Sequence, residues 1–392
     1  MTKLEQLIKE LCPNGVEYKT LGEIAVDVFR GAGIKRDEVT EEGVPCVRYG
    51  EIYTTYGVWF DECVSHTRLE NVQTPKYFEH GDILFAITGE SVEDIAKSTA
   101  YVGHDKCLAG GDIVVLKHNQ NPKYLAYALS TTDAQMQKSK GKVKSKVVHS
   151  SVPAIKEIVV PIPPLQVQSE IVRILDNFAE LSAELSAELS ARKKQYEYYR
   201  DALYTIDDAE IEWKTLNQIS VNCDRQRKPV TKGNRVAGKY PYYGASGIVD
   251  YVEDYIFDGD FLLVSEDGAN LLARSTPIAF SISGKNWVNN HAHVLKFDTY
   301  ELRRYVEIYL NSIDLSKYIS GGAQPKLNQE NLNKIPIPLP SFKRVKFVVD
   351  ILDRFDTLCN DISEGLPAEI EGRRKQYEYY RDKLLTFKEK VN

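Results

Sequence analysis

The chain has 392 residues, 43% of them hydrophobic, and a formal net charge of −6, which is length enough for two or three domains with separate cores. No apolar run approaches the ~20 residues a membrane span needs, and the N-terminal stretch is charged rather than leader-like, so the expected location is the cytoplasm. Six cysteines, at 12, 46, 63, 107, 223 and 359, show no C-x-x-C spacing. They argue against a zinc ribbon or a disulfide framework and fit reduced thiols.

In chain order, residues 4–11 read as a short amphipathic helix closed by Cys12-Pro13-Asn14-Gly15. Short β-rich phrases come next at 44–48, 83–88 and 113–117, separated by turns such as Gly110-Gly111-Asp112. Residues 122–138 carry a helical pattern with Tyr124, Leu125, Tyr127, Ala128, Leu129 and Met136 available for packing. This block is expected to be α+β with a substantial curved sheet. Five lysines then alternate over nine residues, from Lys138 to Lys146. Such a stretch is either a solvated loop or a loop that contacts phosphates.

Pro163-Pro164 cannot lie inside a helix, so the next helix begins after them and runs over 166–204. Its apolar residues, Ile171, Ile174, Leu175, Phe178, Leu181, Leu185 and Leu189, form a coiled-coil-like seam. Within it the tetrad Ala-Glu-Leu-Ser occurs three times in succession over 179–190. Each tetrad lengthens a helix by ~6 Å and rotates the residues beyond it by ~40°. Residues 167–210 hold ten acidic and five basic side chains. Most of the excess acid therefore lies here, and a near-neutral remainder still binds DNA if its Lys and Arg share a face.

The second variable block, 211–340, has strand-like phrases at 247–251, 261–265 and 276–283, and a helical one at 302–318. Arg225, Arg227, Lys228 and Lys232 cluster near its start. Its loop 320–328 is polar and stands just before a proline-rich hinge, as the lysine stretch does in the first half. That match favours DNA contact for both loops. In the last block the seam continues through Val348, Ile351, Leu352, Phe355, Leu358 and Ile362. Gly365-Leu366-Pro367 should break it, with Pro367 restarting a helix.

An internal repeat governs all of this. Arg192-Lys193-Lys194-Gln195-Tyr196-Glu197-Tyr198-Tyr199-Arg200-Asp201 returns as Arg373-Arg374-Lys375-Gln376-Tyr377-Glu378-Tyr379-Tyr380-Arg381-Asp382, identical at nine of ten positions. Upstream, Ile174-Leu175-Asp176-Asn177-Phe178 echoes Ile351-Leu352-Asp353-Arg354-Phe355, and Val16-Glu17-Tyr18-Lys19-Thr20-Leu21 echoes Ile211-Glu212-Trp213-Lys214-Thr215-Leu216. The variable blocks match only at their edges and in short phrases. A duplicated frame thus holds two different readers.

No catalytic constellation is present: neither a G-x-x-x-x-G-K-[ST] phosphate loop nor a G-x-G-x-x-G fingerprint occurs. His291-Ala292-His293 is the only close histidine pair and shows no carboxylate or cysteine partner in the sequence. Asn121-Pro122-Lys123-Tyr124 looks faintly like the N-P-P-Y motif of amino-methyltransferases. Lys123 stands in place of the second proline, however, and no glycine loop precedes it.

The order of variable block, proline hinge, helix with tetrads and R-[KR]-K-Q-Y-E-Y-Y-R-D, given twice, resembles the specificity subunit of type I restriction–modification enzymes over essentially the whole chain. Tyr242-Tyr243-Gly244-Ala245-Ser246-Gly247-Ile248-Val249-Asp250 also looks like phrases of that family's target recognition domains. The resemblance implies an α+β chain of two α/β target recognition domains alternating with two long helices. Those helices would pair as an antiparallel coiled coil, in a pseudo-two-fold internal repeat. Residues 1–163 and 207–340 would be the recognition domains, and 164–206 and 341–392 the helices. It further implies a non-catalytic subunit that reads a bipartite site in double-stranded DNA and docks two methyltransferase subunits. Two restriction subunits would join in the holoenzyme. S-adenosylmethionine, ATP and magnesium would belong to those partners, with none in this subunit, and methylation would fall on adenine.

Base reading needs polar side chains in the major groove. The first-block candidates are Thr88, Glu90 and Ser91 for bases and Lys142, Lys144 and Lys146 for phosphates. In the second block they are Ser246, Asn270, Arg274 and Gln324 for bases and Arg225, Arg227 and Lys326 for phosphates. Gln195, Tyr196, Tyr199 and Arg200, with Gln376, Tyr377, Tyr380 and Arg381, are assigned to partner docking. Two rivals stand beside this reading: a coiled-coil adaptor that does not bind DNA, and a fused enzyme, which would need motifs that are not found.

Overall fold

The computed structural model describes residues 2–139, 142–144, 147–205, 211–321 and 324–390, with backbone alone at 142–144 and 147. It divides into two compact units, Met1–Ser186 with Glu369–Asn392, and Ala187–Ala368. Among the described residues no helix is long and apolar enough to cross a membrane.

In the first unit, the helix Lys3–Leu11 starts at Thr2, which forms a capping box with Glu5. Strand Glu17–Thr20 pairs antiparallel with Val159–Ile162 and brings the two ends of the variable block together. Between them lie two five-stranded sheets. One runs in the order Ala25–Arg30, Ile113–His118, Ile83–Ala86, Ser98–Tyr101, Trp59–Phe60. The other runs Val39–Thr40, Ser65–Thr67, Val44–Val47, Cys107–Ala109, Tyr77–Phe78. Ile83, Leu84, Phe85 and Ala86 are all buried, as befits a central strand covered on both faces. The helical pattern expected over 122–138 forms two helices, Pro122–Leu129 and Thr132–Lys138. The break has a local cause: Thr131 accepts the N–H of Ala134 as a new N-cap, and the Ser130 hydroxyl donates to the Tyr127 carbonyl.

The second unit rebuilds the same frame. Glu212–Thr215 pairs with Pro336–Leu339. Its sheets run Val221–Asn222, Ala292–Lys296, Phe261–Ser265, Ala279–Ile282, and Gly247–Val252, Ala237–Gly244, Lys285–Val288, Phe257–Asp258. The helix Tyr300–Ser312 occupies the place of Pro122–Leu129. Individual bonds repeat. Leu21 N–H donates to Ile158 and Leu216 N–H to Ile335. Tyr124 Oη donates to the Pro161 carbonyl at 3.0 Å, and Tyr305 Oη to the Pro338 carbonyl at 2.9 Å.

The long helix runs Leu165–Tyr204, directly after Pro164. Val167, Gln168, Glu170, Ile171, Val172 and Leu175 are buried. Beyond them the seam thins: Leu181 is 47% exposed, and Leu185 and Leu189 are half-buried. The second helical block is broken as expected, into Phe342–Asn360 and Leu366–Leu384. The Asp361 carboxylate takes the N–H groups of Ser363 and Glu364 in the break. A Cβ on Gly365 would lie 2.4 Å from the Thr357 carbonyl oxygen, so only glycine fits there. Within the first unit Tyr380 stacks on Phe178, centroids 5.6 Å apart. Within the second, Phe355 lies 6.5 Å from Tyr196 and 5.7 Å from Tyr199.

Candidate nucleic-acid interface

In the first unit, Thr88–Gly89, Val147–His149 and Lys142–Lys144 form a three-stranded sheet. Thr88 thus shares a small sheet with the backbone of Lys142 and Lys144, and its hydroxyl sits 3.2 Å from His149 Nδ1. Lys146 lies outside the described residues. Glu90 is exposed. Ser91 shapes its own turn, accepting the N–H of Asp94.

In the second unit, Ser246 stands exposed on a turn whose Ala245 carbonyl accepts from Ser265 Oγ. Lys326 Nζ reaches Glu266 at 3.1 Å, and Gln324 is exposed beside it. Arg225 is exposed, without a side-chain partner among the described residues. Arg227, expected on phosphates, is turned inward: its guanidinium bonds Glu266 at 2.6 Å and the Ala292 carbonyl at 2.8 Å, and only 13% of its side chain is exposed. Burial alone would raise the Glu266 carboxyl. The bond from Arg227, with His293 and Lys326 nearby, outweighs it and holds the group below its ordinary value.

Asn270 and Arg274 are likewise occupied within the fold. Asn270 Oδ1 accepts from Ser275 and the Thr276 N–H, and Arg274, at φ 52°, donates to the carbonyls of Leu310 and Ile313. The histidine pair does have carboxylate partners, contrary to the expectation from sequence. His291 meets Asp267 at 2.8 Å, and the buried His293 meets Asp224 at 2.6 Å. Among the described residues no group of three or more His, Cys, Asp or Glu is placed to hold a metal ion. The N-P-P-Y-like stretch is structural. Asn121 caps a helix through the Tyr124 N–H, and Lys123 pairs with Asp176 at 2.9 Å while lying 3.6 Å from the Trp59 ring centroid.

The two repeated helical motifs present matching faces. Tyr196 and Tyr377 turn inward against their units' cores, and burial pushes the Tyr377 phenol up to about 12. Gln195 and Gln376 each accept from an arginine three residues earlier, Arg192 and Arg373. Arg200 pairs with Asp201 at 2.8 Å and Arg381 with Asp382 at 2.7 Å. Tyr199 and Tyr380 are partly exposed, at 41% and 36%. The most open rings are Tyr198 and Tyr379, 70% and 60% exposed, each packed edge-on against the next tyrosine. Helical period alone, two residues on from the inward tyrosines, could have singled them out.

One further surface contains none of the candidates from sequence. An open groove of about 620 Å³ in the first unit is lined by Arg36, Arg48, Tyr49, Thr54 and Asp112, among others. Arg48 Nε donates to Glu51 at 3.1 Å.

The family model for the type I restriction modification DNA specificity domain matches residues 13–192 and 210–372. The chain belongs to this family. The EcoR124I/EcoR124II specificity subunit of Escherichia coli is 34% identical over 290 residues, covering 68% of this chain and 70% of that one. The Haemophilus influenzae relative S.HindORF215P is 37% identical over 188 residues, and the match spans only about half of either chain, 47% and 48%. Among solved structures, a type I restriction–modification S subunit from M. genitalium matches with a TM-score of 0.57 at 16% identity, covering 95% of this chain and 96% of that one. A chain from a study of complex assembly and conformational transition of the type I system matches at 0.64 with 14% identity, covering 95% and 98%. These two share its mixed helix–strand fold.

Proposed function

We propose that this chain is the DNA-reading subunit of a type I restriction–modification complex, each variable block reading one half of a split, asymmetric site. The observation that carries this reading is the repeat itself. Frame bonds recur position by position in both units, while the outer faces carry different side chains. Two unlike readers on one duplicated frame suit two unlike half-sites. Residues 1–163 and 207–340 are the recognition domains in this scheme, and 164–206 and 341–392 the helices. Phe178 meets Tyr380 and Tyr196 meets Phe355, which is the order expected of antiparallel partners and supports a coiled coil that fixes the spacing of the half-sites.

Lys142, Lys144, Lys146, Arg225 and Lys326 serve on phosphates. Thr88, Ser246 and Gln324 stand near bases. The repeated motifs dock two methyltransferase subunits, with Tyr198 and Tyr379 as their outermost contacts, and two restriction subunits complete the holoenzyme in the cytoplasm. S-adenosylmethionine, ATP and magnesium are the partners' cofactors.

The test is adenine-methylation mapping, by long-read sequencing, of cells carrying this chain with its methyltransferase partner. The expected result is a single split motif, with unlike halves and a methylated adenine in each. No new methylation, with the partner shown to be folded and active, would contradict it and favour an adaptor that does not bind DNA.

A further inference from the structure

Each unit has a pair of parallel strands that leads into an exposed residue, Tyr49 in the first and Ser246 in the second. In the first, Val47 lies opposite Ala109; in the second, Tyr243 lies opposite Val288. The next backbone bond is also shared: Gly110 N–H donates to Val47 and Asn289 N–H to Tyr243. Counting on from this common register, Tyr49 and Gly50 occupy the places of Ala245 and Ser246, and Asp112 the place of His291. The rim around Ser246 therefore has its equivalent in the groove of Arg36, Arg48 and Tyr49.

The groove's chemistry suits base edges. Its two acids are already engaged. Asp112 bonds Arg30, and the buried Glu51 takes Arg48 Nε, the Arg48 N–H at 3.0 Å and Ser65 Oγ at 2.7 Å. Glu51 thus fixes one edge of the Arg48 guanidinium. The two Nη groups at its other edge have no partner among the described residues, and neither has the side chain of the exposed Arg36. A neighbouring groove of about 480 Å³ shares Gly33 and adds Asn71, Gln73 and the pair Lys35–Glu38, whose charges meet at 3.4 Å. Arginine, asparagine and glutamine are the side chains that read guanine and adenine bidentately in the major groove, and a pre-oriented fork does so with less ordering cost.

We propose that this groove is a base-reading surface of the first recognition domain, beside the one carried by Thr88, with Arg48 taking a guanine O6/N7 edge through its two Nη groups. The proposal rests on the reading of the chain as a DNA-specificity subunit. The test compares wild type, Arg48→Ala, Arg48→Lys and Arg36→Gln in the complex with the methyltransferase partner, by methylation mapping.

A wild-type complex that gives no split motif would overturn the underlying reading. With the split motif present, Arg48→Ala should relax one position of one half-site by roughly 5- to 150-fold and leave the other half and the spacer unchanged. Arg48→Lys, which keeps the charge but loses the fork, should relax the same position. Uniformly weaker methylation at an unchanged motif would make Arg48 a phosphate contact and overturn the proposal, as would no change at all. Should Arg48→Ala fail to fold, the exposed Arg36→Gln must alter that same half-site, and an unchanged motif there overturns the proposal equally.

Discussion

At the end of the first variable block Lys123 and Tyr127 converge on Asp176. At the end of the second, Arg304 and Tyr300 converge on Asp353. The frame position is the same and the aspartate sits in the same repeated phrase, yet the cation differs. Lys123 makes one ion pair and a cation–π contact with Trp59. Arg304 makes three ion pairs, with Glu307, Asp353 and Asp356. At the rims the divergence is complete: in the register of the parallel strands, Gly244 and Gly247 hold the places of Arg48 and Glu51. The repeat keeps what each block needs to close on its helix and varies in what its outer face carries.

The sharpest way to probe this difference is at the two cations. Arg304→Ala leaves the nearly buried Glu307 without its cation, with the Ser281 hydroxyl still donating to it, and should cost about 3–5 kcal/mol in urea unfolding. Lys123→Ala removes a half-exposed pair and one ring contact, and should cost about 1–2 kcal/mol. Equal losses would mean that the two closures are energetically alike despite their chemistry. The opposite expectation holds for the shared tyrosine bonds. Tyr124→Phe and Tyr305→Phe each strand a buried proline carbonyl and should cost about 1–2 kcal/mol apiece. Clearly unequal losses would break the claim of a common frame.

A third contrast is pH-dependent. Arg173 and Lys3 hold the Glu170 carboxyl at about 2. A free glutamate titrates near ~4.3. Its stabilising contribution is therefore full above that value and is lost as pH falls towards 2. Phe347 holds the corresponding place in the second half. Glu170→Gln should flatten the acid arm of the first unit's stability curve, measured as urea midpoint against pH, whereas Phe347→Gln should leave the slope unchanged.

Much of the frame is legible in the sequence because its cues are local. Pro163-Pro164 set the start of the long helix, Gly365 and Pro367 mark the break, and the repeated decapeptide orders the whole chain. The break at Ser130 and Thr131 escapes a reading of apolar periodicity, although Ser130-Thr131-Thr132-Asp133 is a run of N-capping residues that marks a new helix start. The seam is shorter than its pattern implies: period tells which side of a helix is apolar but not how far a partner covers it, and full burial ends at Leu175. The candidate interface is least legible. His291 and His293 find carboxylates 24 and 69 residues away. Arg227 looks like a surface cation until its partners Glu266 and Ala292 are brought beside it. Arg48 gains meaning only when two strands distant in sequence are laid in register.

In the proposed scheme helix length sets the spacing while the two faces set the bases. Deleting one tetrad, Ala183 to Ser186, shortens the helix by ~6 Å against ~3.4 Å per base pair. Methylation mapping of that variant should show a spacer shorter by one or at most two base pairs, with both half-sites unchanged. A changed half-site, or an unchanged spacer in a complex that still methylates, would contradict the account.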